Sequence, residues 1–154
     1  MSEPASQYAL VVNGEPANVT APGEMPLALV LRNLLDLPGT RVGCNLEQCG
    51  SCRVIVNGEL AASCTRTLAA TDGCRVETVE SHDPLFERLR AAFTRLNAGQ
   101  CGYCLSGILV TAARLLRENP SPDRPAVMAA LRENLCRCGA HNRIIAAIIE
   151  AGQP

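Results

Sequence analysis

The sequence predicts an α+β protein in which a β-rich domain over residues 1–80 precedes a four-helix domain over residues 81–154. Two observations support this fold class. In the first part, short apolar segments are separated by Asn-Gly pairs, a pattern typical of β-hairpins. After residue 80, apolar residues recur at the 3.6-residue spacing of amphipathic helices.

The β-rich domain is predicted to contain two hairpins and a final strand. Asn13-Gly14 and Asn57-Gly58 are strong signals for tight hairpin turns, and β-prone apolar residues precede each of them. The predicted strands are residues 8–12, 16–20, 53–56, 59–61 and 75–79.

One helix is predicted inside the β-rich domain. Pro26 suits a first helical position, and Leu37-Pro38-Gly39 is expected to end the helix. Its expected apolar face consists of five residues at helical spacing, namely Leu27, Val30, Leu31, Leu34 and Leu35.

Four helices are predicted after residue 80. Ser81-His82-Asp83-Pro84 offers capping groups and a first-turn proline for the first helix, and Asn119-Pro120-Ser121-Pro122 ends the second. The two apolar stripes are Leu85, Leu89, Ala92, Phe93 and Leu96, then Ile108, Thr111, Ala112, Leu115 and Leu116. The last two helices are predicted at residues 125–135 and 143–150.

Composition excludes several functions. The formal net charge is −1, so strong attraction to nucleic acid or acidic membranes is not expected. Every basic residue is Arg, which removes lysine-based catalysis. Residues 1–20 lack a secretory pattern and no apolar run is long enough for a membrane span, so a cytoplasmic location is predicted. A periplasmic location would require export on a partner's signal.

The outstanding feature is nine cysteines in 154 residues. Cys44, Cys49, Cys52 and Cys64 have the spacing of plant-type [2Fe–2S] ligands. A long loop over residues 41–51 can wrap one side of a cluster while Cys64 closes the other. Gly43 and Gly50 are expected to let backbone N–H groups approach the sulfurs, which stabilises a reduced cluster.

Four more cysteines lie at predicted helix ends: Cys101, Cys104, Cys136 and Cys138. Helix N-termini favour the thiolate form, and two helix pairs that meet end to end would gather the four sulfurs. Arg137 would add a positive charge beside this second set. The sequence has no dinucleotide-binding or hydrolase motif, so two redox centres without a substrate site indicate an electron carrier.

Other interpretations of the cysteines remain open at this point. Four cysteines are also a common zinc ligand set, which would give a zinc-stabilised binding module. Cys101-Gly102-Tyr103-Cys104 could instead be a thiol–disulfide redox pair. Cys74 is interpreted as a small half-buried residue, and His82 and His141 as surface or capping residues.

Three motifs carry a family resemblance: Cys44-Asn45-Leu46-Glu47-Gln48-Cys49-Gly50-Ser51-Cys52, Gln100-Cys101-Gly102-Tyr103-Cys104 and Asn134-Leu135-Cys136-Arg137-Cys138-Gly139. In order and spacing, they resemble the small iron–sulfur subunit of molybdenum hydroxylases, the xanthine oxidase family. The resemblance implies a plant-ferredoxin-like β-grasp domain followed by a four-helix-bundle [2Fe–2S] domain. It also implies two [2Fe–2S] clusters held by the eight cysteines above, and no catalytic residue in this chain alone.

The resemblance further implies a partner. In this family a large subunit carries the molybdenum–pterin cofactor and passes electrons through the helical-domain cluster, then the β-grasp cluster, to an acceptor such as a cytochrome c or a flavin subunit. Gln100 and Cys138 match positions that lie against the pterin. Ser106 and Gly139-Ala140-His141 depart from the common pattern toward the two-component isoquinoline oxidoreductase and nicotinate dehydrogenase branch. A free-standing ferredoxin-like carrier is the alternative.

Overall fold

The computed structural model describes residues 4–153. Its first part is a five-stranded mixed sheet in the order β2-β1-β5-β3-β4. β1 and β5 pair in parallel at the centre, and the other neighbours are antiparallel. The strands are β1 (Ala5–Val12), β2 (Glu15–Pro22), β3 (Arg53–Val56), β4 (Glu59–Ala62) and β5 (Arg75–Glu77).

Both predicted hairpins are present. Asn13 and Asn57 have φ angles of 52° and 50°, and the glycine after each has a φ angle of 89°. Two consecutive left-handed residues match the twist of the flanking strands, which is why Asn-Gly is preferred there. The last strand is shorter than predicted, because its pairing with β1 ends at Val76 and its pairing with β3 ends at Glu77.

The helix of the first part, α1 (Leu27–Asn33), is shorter than predicted, so the last two residues of the predicted apolar face lie outside it. Pro26 is its N-cap rather than its first helical residue. Leu34 is 45% exposed because the helix has already ended before it. The chain then turns through Asp36, whose φ angle is 53°, so the residues up to Gly39 form a loop.

Four helices follow residue 80, as predicted: α2 (Pro84–Arg95), α3 (Leu105–Glu118), α4 (Arg124–Ala130) and α5 (His141–Gly152). Asp83 and Asp123 cap α2 and α4 by accepting backbone N–H groups, each contributing about 1 kcal/mol. The predicted helix over 125–135 was too long. After α4 the chain makes one 3₁₀ turn and leaves the bundle, so Leu135 is 66% exposed.

Each of the two parts has its own large apolar core. One lies between the sheet and α1 and includes Leu31, Val54 and Leu68, whereas the larger one lies among the four helices. Ile55 of β3 belongs to the helical core, so the sheet and α3 share apolar contact. Arg117 of α3 also donates to Glu77 at 2.6 and 2.8 Å. Within residues 4–153, no helix is both long and apolar enough to cross a membrane.

Candidate metal centres

The first set of cysteines lies beside the sheet. Cys44, Cys49 and Cys52 lie in the loop between α1 and β3, and Cys64 follows β4. Cys52 and Cys64 are 2% and 6% exposed and pack against Ala62, whereas the other two are half-buried. β3 and β4 are antiparallel, and the first residue of β3, Arg53, pairs with the last residue of β4, Ala62. Cys52, just before β3, therefore lies close to Cys64, just after β4.

Within this set the thiols are gathered two by two. Cys49 is the neighbouring thiol that most affects the pKa of Cys44, and Cys52 is the one that most affects the pKa of Cys64. Cys44 and Cys64 are also close enough for their charges to repel. The predicted convergence of these four residues is therefore present in the fold.

Backbone N–H groups point toward the first set. The N–H of Leu46 lies 3.3 Å from Cys44 Sγ, and this bond, with those of Cys49 and Gln48, lowers the pKa of Cys44 to about 7. Asn45 and Glu47 both have left-handed φ angles, of 55° and 60°. Alternating left-handed residues turn successive N–H groups to one side of a loop and form an anion-binding concavity.

Burial acts in the opposite direction at Cys64, which follows β4. It raises the pKa of Cys64 to about 11, although the backbone N–H of Glu47 opposes this effect. Gly43 lies so close to Cys49 that an added Cβ would sit 2.9 Å from the sulfur. The absence of a side chain at Gly43 therefore leaves room for this sulfur, while the predicted approach of N–H groups at Gly43 stays a prediction.

The second set lies where two helices begin. Cys104 is the N-cap of α3, Cys101 precedes it in the loop after α2, and Cys136 and Cys138 lie in the loop before α5. Cys101 is exposed and the other three are half-buried. Two helix N-termini therefore point toward one group of four thiols, as the sequence predicted.

The pairing in the second set crosses between the two loops. Cys138 is the neighbouring thiol that most affects the pKa of Cys101, and Cys136 is the one that most affects the pKa of Cys104. Cys101 and Cys104 therefore each have a thiol of the other loop as their main partner, rather than each other, which disfavours the thiol–disulfide interpretation of that motif. The Cys-x-x-Cys spacing does not predict which cysteines of the two loops become partners, because that depends on how the N-termini of α3 and α5 meet.

The electrostatics of the second set also depend on burial and N–H donors. Burial raises the pKa of Cys104 to about 12, with the adjacent Cys136 acting in the same direction. The backbone N–H of Tyr103 lowers the pKa of Cys101. For Cys136, burial raises the pKa, but N–H groups led by that of Ala140 outweigh it and the pKa is lowered.

This two-by-two arrangement fits binuclear clusters. Among the described residues, no group of three or more His, Cys, Asp or Glu side chains is arranged to hold a single metal ion. In a [2Fe–2S] cluster each iron takes two of the four thiolates, so two pairs are the required donor set. Inward N–H groups would stabilise the added negative charge of the reduced cluster.

The two sets touch each other through the backbone. The N–H of Leu135, next to Cys136, donates to the carbonyl of Cys49 at 3.0 Å. The amide of Asn134, itself 5% exposed, donates to the carbonyl of Gly50 at 3.3 Å. One hydrogen bond thus connects Cys49 of the first set directly to Leu135, the neighbour of Cys136 in the second set.

Gly50 has a different role from the predicted one. Its φ angle is +72°, and an added Cβ would lie 2.3 Å from the carbonyl oxygen of Glu133 rather than against a sulfur. A Cβ on Gly107 of α3 would lie 1.8 Å from the carbonyl oxygen of Gly50. Two glycines therefore allow α3 to approach the first loop at backbone distance, a role for Gly107 that no sequence pattern indicated.

Gln100 and Cys138, which the resemblance placed together, are adjacent. The Gln100 side-chain amide donates to the carbonyl of Cys138 at 3.3 Å. Cys74 is half-buried beside the sheet core and accepts a hydrogen bond from Asn57 at 3.4 Å, away from both sets. The side chain of His82 is 95% exposed, and His141 is the first residue of α5.

Comparison with family models assigns both parts of the chain. Residues 10–82 match a 2Fe-2S iron-sulfur cluster binding domain, and residues 75–149 match a [2Fe-2S] binding domain. A nicotinate dehydrogenase subunit of Pseudomonas putida is 40% identical over 94% of both chains. The alpha subunit of isoquinoline 1-oxidoreductase of Brevundimonas diminuta is 41% identical over 93% of this chain and 95% of its own.

Solved structures agree. Quinoline 2-oxidoreductase from Pseudomonas putida 86 superposes with a TM-score of 0.90 and 37% identity over 96% of this chain and 93% of the matched chain. Aldehyde oxidoreductase from Desulfovibrio gigas gives a TM-score of 0.86 with 32% identity over 96% of this chain, but only 17% of the matched chain. In that protein, the part that corresponds to this chain is one segment of a longer polypeptide.

Proposed function

Since this chain belongs to the family of small [2Fe–2S] subunits of molybdenum hydroxylases, the xanthine oxidase family, we propose which of its residues hold the two clusters and which face the partner. The predicted family and α+β fold class are confirmed, as is the function of an electron-transfer subunit of an oxidoreductase. The zinc module and the free-standing carrier are not supported, because the relatives are subunits of oxidoreductase complexes.

We assign one cluster to Cys44, Cys49, Cys52 and Cys64, and the other to Cys101, Cys104, Cys136 and Cys138. The contacts between thiols support an assignment of each iron: Cys44 with Cys49, Cys52 with Cys64, Cys101 with Cys138, and Cys104 with Cys136. Each cluster, when bound, accepts and releases one electron at a time. We place the boundary between the two domains near residue 80, between β5 and α2.

The helical-domain set is the one that faces the molybdenum–pterin cofactor of the large subunit. Exposure supports this orientation: Cys101 is exposed, and Gln100 beside it bonds the carbonyl of Cys138 at the same edge. Leu135, 66% exposed, adds an apolar contact next to Cys136. We propose that Gln100 and Cys138 touch the pterin.

The β-grasp set then serves the electron acceptor. Leu46 is 66% exposed and its N–H bonds Cys44, so the loop that carries it offers an apolar contact beside the first set. Either a cytochrome c or a flavin subunit would suit this surface as the acceptor. We propose a cytoplasmic location for the chain, where a reducing environment keeps cysteines as the free thiols that cluster assembly needs.

The relatives' names suggest the substrate class. Nicotinate, isoquinoline and quinoline, named in three of the compared proteins, are all aromatic rings that contain nitrogen. We propose that the complex containing this chain oxidises an N-heteroaromatic compound at a site on its large subunit.

The purified complex tests these assignments. Substrate added without oxygen should bleach the visible absorption and produce two paramagnetic signals. Gln100→Ala should slow this reduction by substrate but leave reduction by dithionite unchanged, because dithionite does not pass through the pterin. Gln7→Ala, at an exposed position on β1, is the matched control. Zinc in place of iron, or no signal after dithionite, would overturn the assignment.

A further inference from the structure

Within residues 4–153, Tyr103 is the one side chain of the loop between α2 and α3 whose hydrogen bond reaches the first cysteine loop. It stands between Cys101 and Cys104, and its Oη donates to the carbonyl of Val42 at 2.6 Å. Val42 precedes Cys44 by two residues, and its side chain packs against Cys52 and Cys64. The phenol therefore connects the loop before α3, which carries Cys101 and Cys104, to the segment that leads into Cys44.

The position of Tyr103 is not explained by core packing. It is 47% exposed, so its ring contributes little to either apolar core. The guanidinium carbon of Arg41, in the segment that leads into the first loop, lies 6.0 Å from the centroid of the Tyr103 ring. This cation–π contact covers one face of the ring. Both contacts of this side chain are thus made with the segment that leads into Cys44.

The backbone contact described above joins the first loop to the other loop of the second set, the one before α5. Leu135 bonds Cys49 there, and Gly107 packs on Gly50. Leu135 belongs to the loop before α5, so its bond and that of Asn134 do not hold the loop before α3. The phenol of Tyr103 adds a hydrogen bond from that loop to the first one and further restricts their relative orientation.

We propose that Tyr103 is a positioning residue for electron transfer between the two sites, tying the first loop to the second through its bond to Val42. This inference rests on the proposed function. The step it serves moves one electron from the second site, which is oxidised, to the first, which is reduced, and no bond or proton moves. Because transfer depends on the separation and orientation of the sites, loosening this tie is expected to slow it.

The test uses the whole complex with Tyr103→Phe, which removes only the hydroxyl, and with Tyr8→Phe as the matched control. Tyr8 is the other tyrosine of the chain and lies on β1. Both variants should keep full iron content and both paramagnetic signals. Tyr103→Phe should lose part of the magnetic splitting between the two reduced centres and pass electrons more slowly from the second to the first, whereas Tyr8→Phe should match the wild type.

Hydrogen exchange gives an independent measurement. The segment containing Val42 should exchange faster in Tyr103→Phe than in the wild type. Unchanged splitting and transfer rate would overturn the inference, and so would loss of the second signal, since the hydroxyl would then be needed to hold that site. Failure of the proposed function is distinguishable, because the wild-type complex would then lack two such signals altogether.

Discussion

The two cysteine sets solve the same problem with different local structures. The first set draws three thiols from a single loop with left-handed residues and a fourth from the turn after β4, and two of its thiols are buried. The second draws two thiols from each of two loops at helix N-termini and leaves Cys101 exposed. The difference shows that burial distinguishes the two sets, and the less buried one is the set that we propose to face the large subunit.

The largest expected effect tests whether the sets are separate. Cys64→Ser should remove the first cluster and Cys101→Ser the second, and in each variant iron should fall from about four to about two per chain. Iron and sulfide analysis together with paramagnetic signals after dithionite measure this. Cys74→Ser is the control and should keep both clusters, because Cys74 lies away from both sets. Loss of both signals from a soluble single variant would contradict independent sites.

The next effect tests the junction that the two sets share. Alanine is favoured over glycine by about 1 kcal/mol inside a helix, so Gly107→Ala would be stabilising if only α3 mattered. The new methyl group would instead meet the backbone of Gly50, which cannot rotate away. We expect a net destabilisation of about 1–3 kcal/mol in thermal or denaturant unfolding of the complex.

Ala91→Gly calibrates that measurement, since Ala91 is exposed on α2 and reports helix propensity alone. It should lower the free energy of unfolding by about 1 kcal/mol. Unchanged or increased stability of Gly107→Ala would mean that α3 does not pack on the first loop at backbone distance.

The smallest expected effect is a difference between the two clusters in the rate at which a chelator removes their iron, and it tests the difference in burial between the two sets. In the chain separated from its large subunit, an iron chelator should remove the second cluster before the first, because Cys101 is exposed whereas Cys52 and Cys64 are buried. The order of loss of the two paramagnetic signals is the measurement. In the intact complex the signal of the second cluster should persist longer than in the separated chain, because the large subunit would cover Cys101. If the second cluster is still lost first and equally fast in the complex, the large subunit does not bind beside it.

Much of the fold was predictable from the sequence for physical reasons that are local. Asn57-Gly58 fixes a turn by its own backbone preference, and the spacing of the cysteines reveals the first set. Leu34 and the end of α4 were wrongly assigned, because helix ends here depend on tertiary contacts rather than on apolar spacing. The pairing of Cys101 with Cys138 and the role of Gly107 were not predictable, since both depend on how distant segments meet.

The bond between Leu135 and Cys49 uses backbone atoms only. Nineteen of the twenty amino acids carry the required N–H at position 135, and every amino acid carries the carbonyl at 49, so only proline at 135 would abolish this bond through the residue's own chemistry. Surface side chains around the junction can therefore vary during evolution, and relatives can adapt to new partner chains, without severing this connection.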